Sequence, residues 1–257
     1  MTNIVLNEYL WAENELDNPS MDFKPGVALY RIAKYYKYHG LQRADISQKL
    51  KEYLIQIDPR VSIPKWSDTI DNAVKNAFKQ NIIMIDSIPI TETELTTIRE
   101  KLKSSPQQRL AFVLLVMSKY WDTVNPDNNH WVNTSDKDIM NMACIRTSIK
   151  RQSEMFSKLR EVGLIKFASR VDSLNTKVLF QSDGDIAMEI SDLRNLGFQY
   201  LNHFGGDFYE CKNCGLICKR EHANSGRKPV YCHDCARDIA ISNRVNSVMR
   251  QRSKVNN

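Results

Sequence analysis

Toward its C-terminal end the chain carries two Cys-x-x-Cys turns, CKNC (Cys211, Cys214) and CHDC (Cys232, Cys235), with seventeen residues between them. A tight Cys-x-x-Cys loop offers two thiolates to one ion, and two such loops complete a tetrahedron. With all four positions filled by protein, no place is left for water or substrate, so the ion holds the fold and does not catalyse. The spacing therefore predicts a structural Zn2+ site on Cys211, Cys214, Cys232 and Cys235. Cys218, His222 and His233 stand close enough in sequence to substitute as ligands, Cys218 for Cys214 if the first turn is wide. The other use of such cysteines is a disulfide or redox pair. Against it, five of the six cysteines crowd into residues 211–235, whereas an extracellular disulfide framework is spread along a chain. The opening MTNIVLNEYLWAENEL also lacks the basic flank of a signal peptide. A reducing, cytoplasmic compartment is expected, and the isolated Cys144 reads as a small buried hydrophobe.

The 257 residues are enough for two domains, or one with appended modules. The longest apolar run, Ala111 to Met117, is far short of the roughly 20 residues a membrane span needs, so a soluble protein with no membrane partner is expected. Net charge is +6, unevenly placed. Residues 1–104 are balanced, 105–181 carry a surplus of four bases, 182–204 a surplus of three acids, and 205–257 a surplus of five bases. A basic second half points to a polyanionic partner; a solvated charged face is the plainer alternative.

Between Ser105 and Gln181 the signals run helix, helix, helix, then two strands about a polar turn. Ser105, Pro106 and Gln108 predict a capped start for an apolar helix through Trp121. Thr134 or Ser135 caps a short helix ending at Ala143, and a third helix spans about Thr147 to Val162. Ile149, Phe156, Leu159 and Val162 recur at helical spacing and are expected to face the core, with Ser148, Lys150, Arg151, Gln152, Glu154 and Lys158 opposite. Gly163 closes that helix, and LIKFA and KVLF form a hairpin around SRVDSLNT. The stretch FSKLREVGLIKFASRVDSLNTKVLF resembles the winged helix-turn-helix family over about 75 residues. That resemblance implies a third helix that enters the DNA major groove by its N-terminal end and a hairpin wing along the backbone. It makes Thr147, Ser148, Lys150, Arg151, Gln152, Arg170 and Lys177 candidate DNA contacts, Arg and Gln for bases, Lys and Ser for phosphates. Winged helices also dock proteins.

In the N-terminal part, three amphipathic stripes follow closely: Leu29, Ile32, Ala33 and Tyr36, ended by Gly40; Ile46, Leu50, Leu54 and Ile57, ended by Asp58-Pro59; and Trp66, Ile70, Val74 and Phe78. These stripes can bury only against one another. In spacing and polarity the segment LYRIAKYYKYHGLQRADISQKLKEYL…IDPRVSIPKWSDTIDNAVKNAFK resembles the accessory helical module at the C-terminus of some plasmid and phage primases. A bundle for oligomerisation or partner contact is the plainer reading. NIIMIDSIPI reads as a short buried strand or connector, Thr91 and Glu94 as a capping box, and KSSP as a linker. Asp183 and Asp185 are expected to mark a turn, a divalent-ion site being the lesser alternative.

After the second cysteine turn, Ile239, Ile241, Val245, Val248 and Met249 make one helical stripe, flanked by Arg237, Arg244, Arg250, Arg252 and Lys254. Between the turns lie Lys212, Lys219, Arg220, Arg227 and Lys228. A zinc ribbon followed by a basic helix resembles the C-terminal tails of many phage-encoded DNA-associated proteins, which implies phosphate contacts from Lys219, Arg220, Arg227, Lys228, Arg244, Arg250 and Arg252 and a salt-sensitive affinity.

No GxxxxGK or GxGxxG loop is present, and the five histidines form no HExxH motif or nucleophile arrangement. A zinc-knuckle nuclease would need more than His222 and Asn224 between the turns. An enzyme is not expected. The predicted architecture is mainly α: a helical bundle over 1–104, a winged helix-turn-helix over 105–181, a connecting strand and helix over 182–204, and a zinc ribbon with a basic helix over 205–257. The function expected is DNA binding in phage or mobile-element replication initiation, in a bacterial host cytoplasm and with host replication or transcription proteins as further partners. Transcription regulation, and protein docking as an adaptor or host-takeover factor, are the alternatives.

Overall fold

The structure, a computed structural model, describes residues 4–20, 24–169, 175–220 and 229–255, with the backbone alone at 246, 248 and 250–255. It is mainly helical with small antiparallel sheets, built around two hydrophobic cores.

The first core is the expected bundle. α2 (Pro25–Tyr38), α3 (Arg43–Ile57) and α4 (Ser67–Ala77) bury Leu29, Ile32, Ala33, Ile46, Leu50, Leu54, Ile70 and Val74 against one another. Gly40 takes φ +83, the left-handed geometry that ends α2. A further helix precedes it, α1 (Glu8–Asp17), capped by Asn7 Oδ1, which accepts from the Leu10 amide at 2.9 Å. Its fully buried positions are Glu8, Ala12 and Glu15, with Trp11 and Leu16 packed part-buried against the bundle, so its inner face mixes acids with apolar side chains. The Glu8 carboxylate pairs with Lys34 and lies 3.7 Å from the Arg31 guanidinium. It also accepts from the Ile83 amide at 2.9 Å. Burial drives the pKa of Lys34 and of Arg31 down, opposed by the Glu8 charge. Glu15 accepts from the Tyr53 hydroxyl at 2.6 Å and so ties α1 to α3.

The second core surrounds α6 (Ser105–Val124), whose run Leu110 to Met117 is wholly buried. A helix apolar on every side must be enclosed. The covering elements are β1 (Ile88–Thr91), α5 (Glu92–Lys101), β2 (Trp131–Val132), α7 (Asp136–Met142), α8 (Ile149–Glu161), β3 (Ile165–Phe167), β4 (Thr176–Val178), β5 (Ile186–Ile190) and α9 (Leu196–His203). β1 pairs with β5, and a second sheet has the order β2-β4-β3. The boundary expected after residue 104 runs through this core, since Leu95, Ile98 and Leu102 share one cluster with Leu110 and Phe112. β1 and α5 bury Ile88, Ile90, Leu95 and Ile98 in it. The 182–204 connector likewise belongs to the core, through Ile190, Leu193, Leu196 and Tyr200.

Local signals are realised with some shifts. Thr91 and Glu94 form the capping box of α5, and the fully buried Glu94 carboxylate also binds Lys119 Nζ at 2.8 Å. Ser104 rather than Ser105 is the N-cap of α6, and it makes no side-chain cap bond; Gln108 Nε2 donates instead to the Leu102 carbonyl at 2.8 Å. Ser135 caps α7, while Thr134 accepts from Trp121 Nε1. Asp183 and Asp185 join no group of metal-ligating side chains among the described residues.

α9 lies so close to the end of α7 that a Cβ at Gly197 would sit 2.1 Å from the Ala143 carbonyl oxygen. Gly197→Ala is therefore expected to force the two elements apart and lower stability by about 3 kcal/mol, measurable by thermal or urea unfolding. An unchanged midpoint would show that this contact yields freely.

The chain continues through β6 (Phe208–Glu210), paired with β7 (Ile217–Lys219), to the terminal helix α10 (His233–Val255). Among the described residues no helix is long and apolar enough to cross a membrane.

Candidate functional site

The β6-β7 hairpin presents Cys211 and Cys214, and the start of α10 presents Cys232 and Cys235. The four sulfurs lie within 4.8 Å of one another. Local backbone geometry accounts for the first turn: the Gly215 amide donates to the Cys211 carbonyl at 2.8 Å with Gly215 at φ +70, and the Cys211 amide donates to the Leu216 carbonyl. The Lys212 amide donates to the Val230 carbonyl and draws the second turn alongside the first. Cys211 and Cys232 are buried, Cys214 and Cys235 half-buried.

Thiolates about 2.3 Å from one tetrahedral ion stand about 3.8 Å apart, and the Cys214 and Cys232 sulfurs are separated by 3.8 Å. A disulfide requires about 2.0 Å. The cluster can thus hold a metal ion with all four ligands from protein. Outer contacts suit thiolates: Asn213 Nδ2 donates to Cys235 Sγ at 3.3 Å, and the Cys235 amide donates to Cys232 Sγ at 3.5 Å. Among the four thiols without an ion the shifts diverge: burial would push Cys211 up, but hydrogen bonds at Cys232, Cys214 and Asn213 outweigh it and bring its pKa down, while burial and the neighbouring thiols push Cys214 up and, over the opposing Asn213 hydrogen bond, Cys235 as well.

The spare ligands fall away where they are described. Cys218 lies on β7 outside the group of four, and its thiol is pushed up to about 11, chiefly by burial. His233 is exposed and faces Asp234 at 3.5 Å. His222 lies outside the described residues. Cys144 is half-buried rather than fully buried, in left-handed geometry at φ +54.

The cysteine cluster is fastened to the second core by two side chains that sequence reasoning passed over. Arg194 Nη2 donates to the Cys214 carbonyl at 2.7 Å while pairing with Asp192, and Asn195 Nδ2 donates to the Ile217 carbonyl at 3.0 Å. Neither falls in a motif, so only the fold brings them here.

The other sequence-predicted residues form a separate surface. Thr147, Ser148, Lys150, Arg151 and Gln152 gather at the start of α8, all but Gln152 exposed. Several are already engaged: Ser148 Oγ accepts from the Arg151 amide as N-cap, Gln152 Nε2 donates to the Thr147 carbonyl at 3.3 Å, and Arg151 pairs with Glu154 at 3.0 Å. Exposed pairs of that kind are worth under about 1 kcal/mol and yield readily to a stronger anion. Ile149, expected in the core, is 81 % exposed: it shares a helix face with Phe156 but stands at the first position of α8, beyond the end of the core that Met155, Phe156 and Leu159 reach. Val162 packs against the core as expected. Lys177 on β4 donates to Asn129 Oδ1 at 2.7 Å. Lys219 is exposed on β7; Arg220 stands 3.9 Å from Asp207; Arg244 is exposed on α10. Arg170, Arg227 and Lys228 lie outside the described residues, as do the side chains of Arg250 and Arg252.

Beside Lys177 a polar network closes the end of α6. Asp122 accepts from His130 Nδ1 (2.7 Å), the His130 amide, Asn128 and Gln181, and Asn128, Asn133 and Asn175 continue it. Burial raises the Asp122 pKa, but these hydrogen bonds together hold it below the ordinary carboxylate value.

No protein-family model, curated protein or solved structure matches the chain. The functional reading therefore rests on the residues themselves.

Proposed function

We propose that the protein is a non-enzymatic DNA-binding protein in which residues 105–181 act as a winged helix-turn-helix. The observation that carries the reading is the element order α6-β2-α7-α8-β3-β4 with strands arranged β2-β4-β3, with Lys150 and Arg151 exposed at the N-terminal end of α8 and Arg146 exposed in the turn before it. A helix so presented suits the major groove, with the β3-β4 hairpin beside it on the backbone. Zn2+ is the ion four thiolates favour in closed tetrahedral sites, and the 205–257 segment is read as a zinc ribbon whose basic helix grips phosphates. Phage or mobile-element replication initiation is the role carried forward. It rests on the primase-like pattern of the α2–α4 segment.

One observation favours protein docking instead. Ile149, and Ile241, Val245 and Met249 on α10, are large apolar side chains held in solvent.

Lys150→Ala with Arg151→Ala separates the readings. Genomic DNA fragments retained by the metal-loaded protein at near-physiological salt would be sequenced for both proteins. A DNA reader shows one site or a cluster of repeats, and the variant loses about 1–3 kcal/mol for each bidentate base contact. Many sites upstream of genes would favour transcription regulation. Equal, unselective retention by both proteins would sink the DNA reading and leave the docking one.

A further inference from the structure

Between the first turn of α6 and the turn joining α7 to α8 lies an open cavity of about 360 Å3, lined by Arg109, Arg146 and Arg151 together with Gln107, Thr147 and Ile145. No carboxylate lines it. Three guanidinium groups around one hollow repel one another unless something anionic fills it. Arg151 has Glu154 as a partner, but neither Arg109 nor Arg146 pairs with a carboxylate among the described residues.

Arg109 is the most telling of the three. Its Nη1 is spent on the protein, donating to the Ala143 and Cys144 carbonyls at 3.1 and 2.9 Å, and this holds the group in place. Its Nε is buried and has no hydrogen-bond partner. A buried guanidinium nitrogen left unsatisfied costs free energy that an acceptor would return. Burial lowers the Arg109 pKa, as expected for a cation without a counter-ion. The adjoining first turn of α6 strengthens the positive potential: its cap residue, Ser104, makes no side-chain hydrogen bond to the leading amides of this 20-residue helix.

We propose that this cavity binds a phosphate group. Guanidinium forks match the tetrahedral, multiply charged oxygens of phosphate better than they match a single carboxylate or chloride. The volume exceeds that of the bare anion and leaves room beside Ile145 for the sugar of a nucleotide or of a nucleic-acid strand. The site stands independently of the winged-helix reading, since it is defined by Arg109, Arg146 and the α6 terminus. A backbone phosphate of DNA and a free phosphorylated ligand would present the same chemistry to it.

The test is titration of the full-length, metal-loaded protein with inorganic phosphate, followed through the arginine Nε–H resonances. Saturable binding is expected, with a downfield movement of the Arg109 Nε–H signal. Arg146 is exposed and makes no hydrogen bond or ion pair among the described residues, so Arg146→Ala should leave the thermal midpoint in place and weaken phosphate binding roughly ten-fold. An Arg109 Nε–H signal that stays put up to about 50 mM phosphate, or an Arg146→Ala protein that binds as the parent does, would overturn the proposal. Duplex DNA added to the phosphate-loaded protein then distinguishes the sources. Displacement of phosphate from Arg109 identifies the strand backbone as its occupant, and simultaneous binding identifies a free phosphorylated ligand; both outcomes require the site.

Discussion

Cys211→Ser is expected to abolish stoichiometric metal binding and to unfold the segment from β6 to the start of α10, while the two hydrophobic cores stay folded. Cys211 is nearly inaccessible to solvent and its sulfur belongs to the group of four, so a hydroxyl there removes one ligand, and among the described residues no fifth ligand joins that group. Cys218 is not within that group. The β6-β7 hairpin has only three residues in each strand, too little to persist by itself in water. Metal binding in small structural sites of this kind supplies about 10–16 kcal/mol, which makes metal loss and local unfolding one event. Metal content by mass spectrometry, combined with amide exchange, checks this. Exchange should rise in residues 208–219 and 229–240 and stay slow in α6. A variant that retains its metal, or loses it with no change in exchange, would show that the cysteines do not organise this segment. A chelator applied to the parent protein should reproduce the variant, and added Zn2+ should reverse the chelator alone.

Glu8→Gln is expected to cost about 3–5 kcal/mol, the range for breaking a buried ion pair from one side. Lys34 is 1 % exposed and Glu8 is its carboxylate partner; the same carboxylate also faces Arg31 and accepts from the Ile83 amide. The neutral amide leaves Lys34 buried without the charge that balanced it and removes one of the charges facing Arg31. Because α1 joins the α2–α4 bundle to the connector leading into the second core, the loss should show as loosening of α1 and of residues 82–86 before the global transition. Glu8→Leu combined with Lys34→Met should regain part of the stability, since an apolar pair of similar size avoids the desolvation of two charges. Global unfolding by urea, fitted for parent and variants, decides the matter. A Glu8→Gln shift below about 1 kcal/mol would mean that water reaches the cluster and screens it.

These two sites differ in how far they can be read from the chain. The four ligands follow from spacing, because a Cys-x-x-Cys turn has few conformations and the sulfurs it presents converge on one ion. The bundle α2–α4 follows from three apolar stripes with clear stops, and the capping box of Thr91 and Glu94 is a local event that needs no distant partner. Helix α1 was not legible, since two of its three fully buried residues are the acids Glu8 and Glu15, which interrupt the apolar signal of Trp11, Ala12 and Leu16. Ile149 misled in the opposite sense: it fits the helical repeat of Phe156 and Leu159, yet it stands at the first position of α8, where the helix has already left the core.

Sequence by itself determined the helical character of the chain, the four-cysteine cluster and the apolar helix Leu110–Met117 at its centre: the helices depend on residues within one or two turns of one another, and the cluster on two local Cys-x-x-Cys turns whose sulfurs suit one ion. Tertiary structure alone decided what those pieces share. It placed β1 and α5 in the core of α6, where Ile88, Ile90, Leu95 and Ile98 are buried, and it anchored the cysteine cluster through Arg194 and Asn195. It also brought Arg109, Arg146 and Arg151 around one hollow, where a contact between residues 34 and 35 positions apart holds Arg109 in place. No local rule can foresee such an encounter, because its energy comes from packing α6 against the α7–α8 turn and not from the arginines themselves.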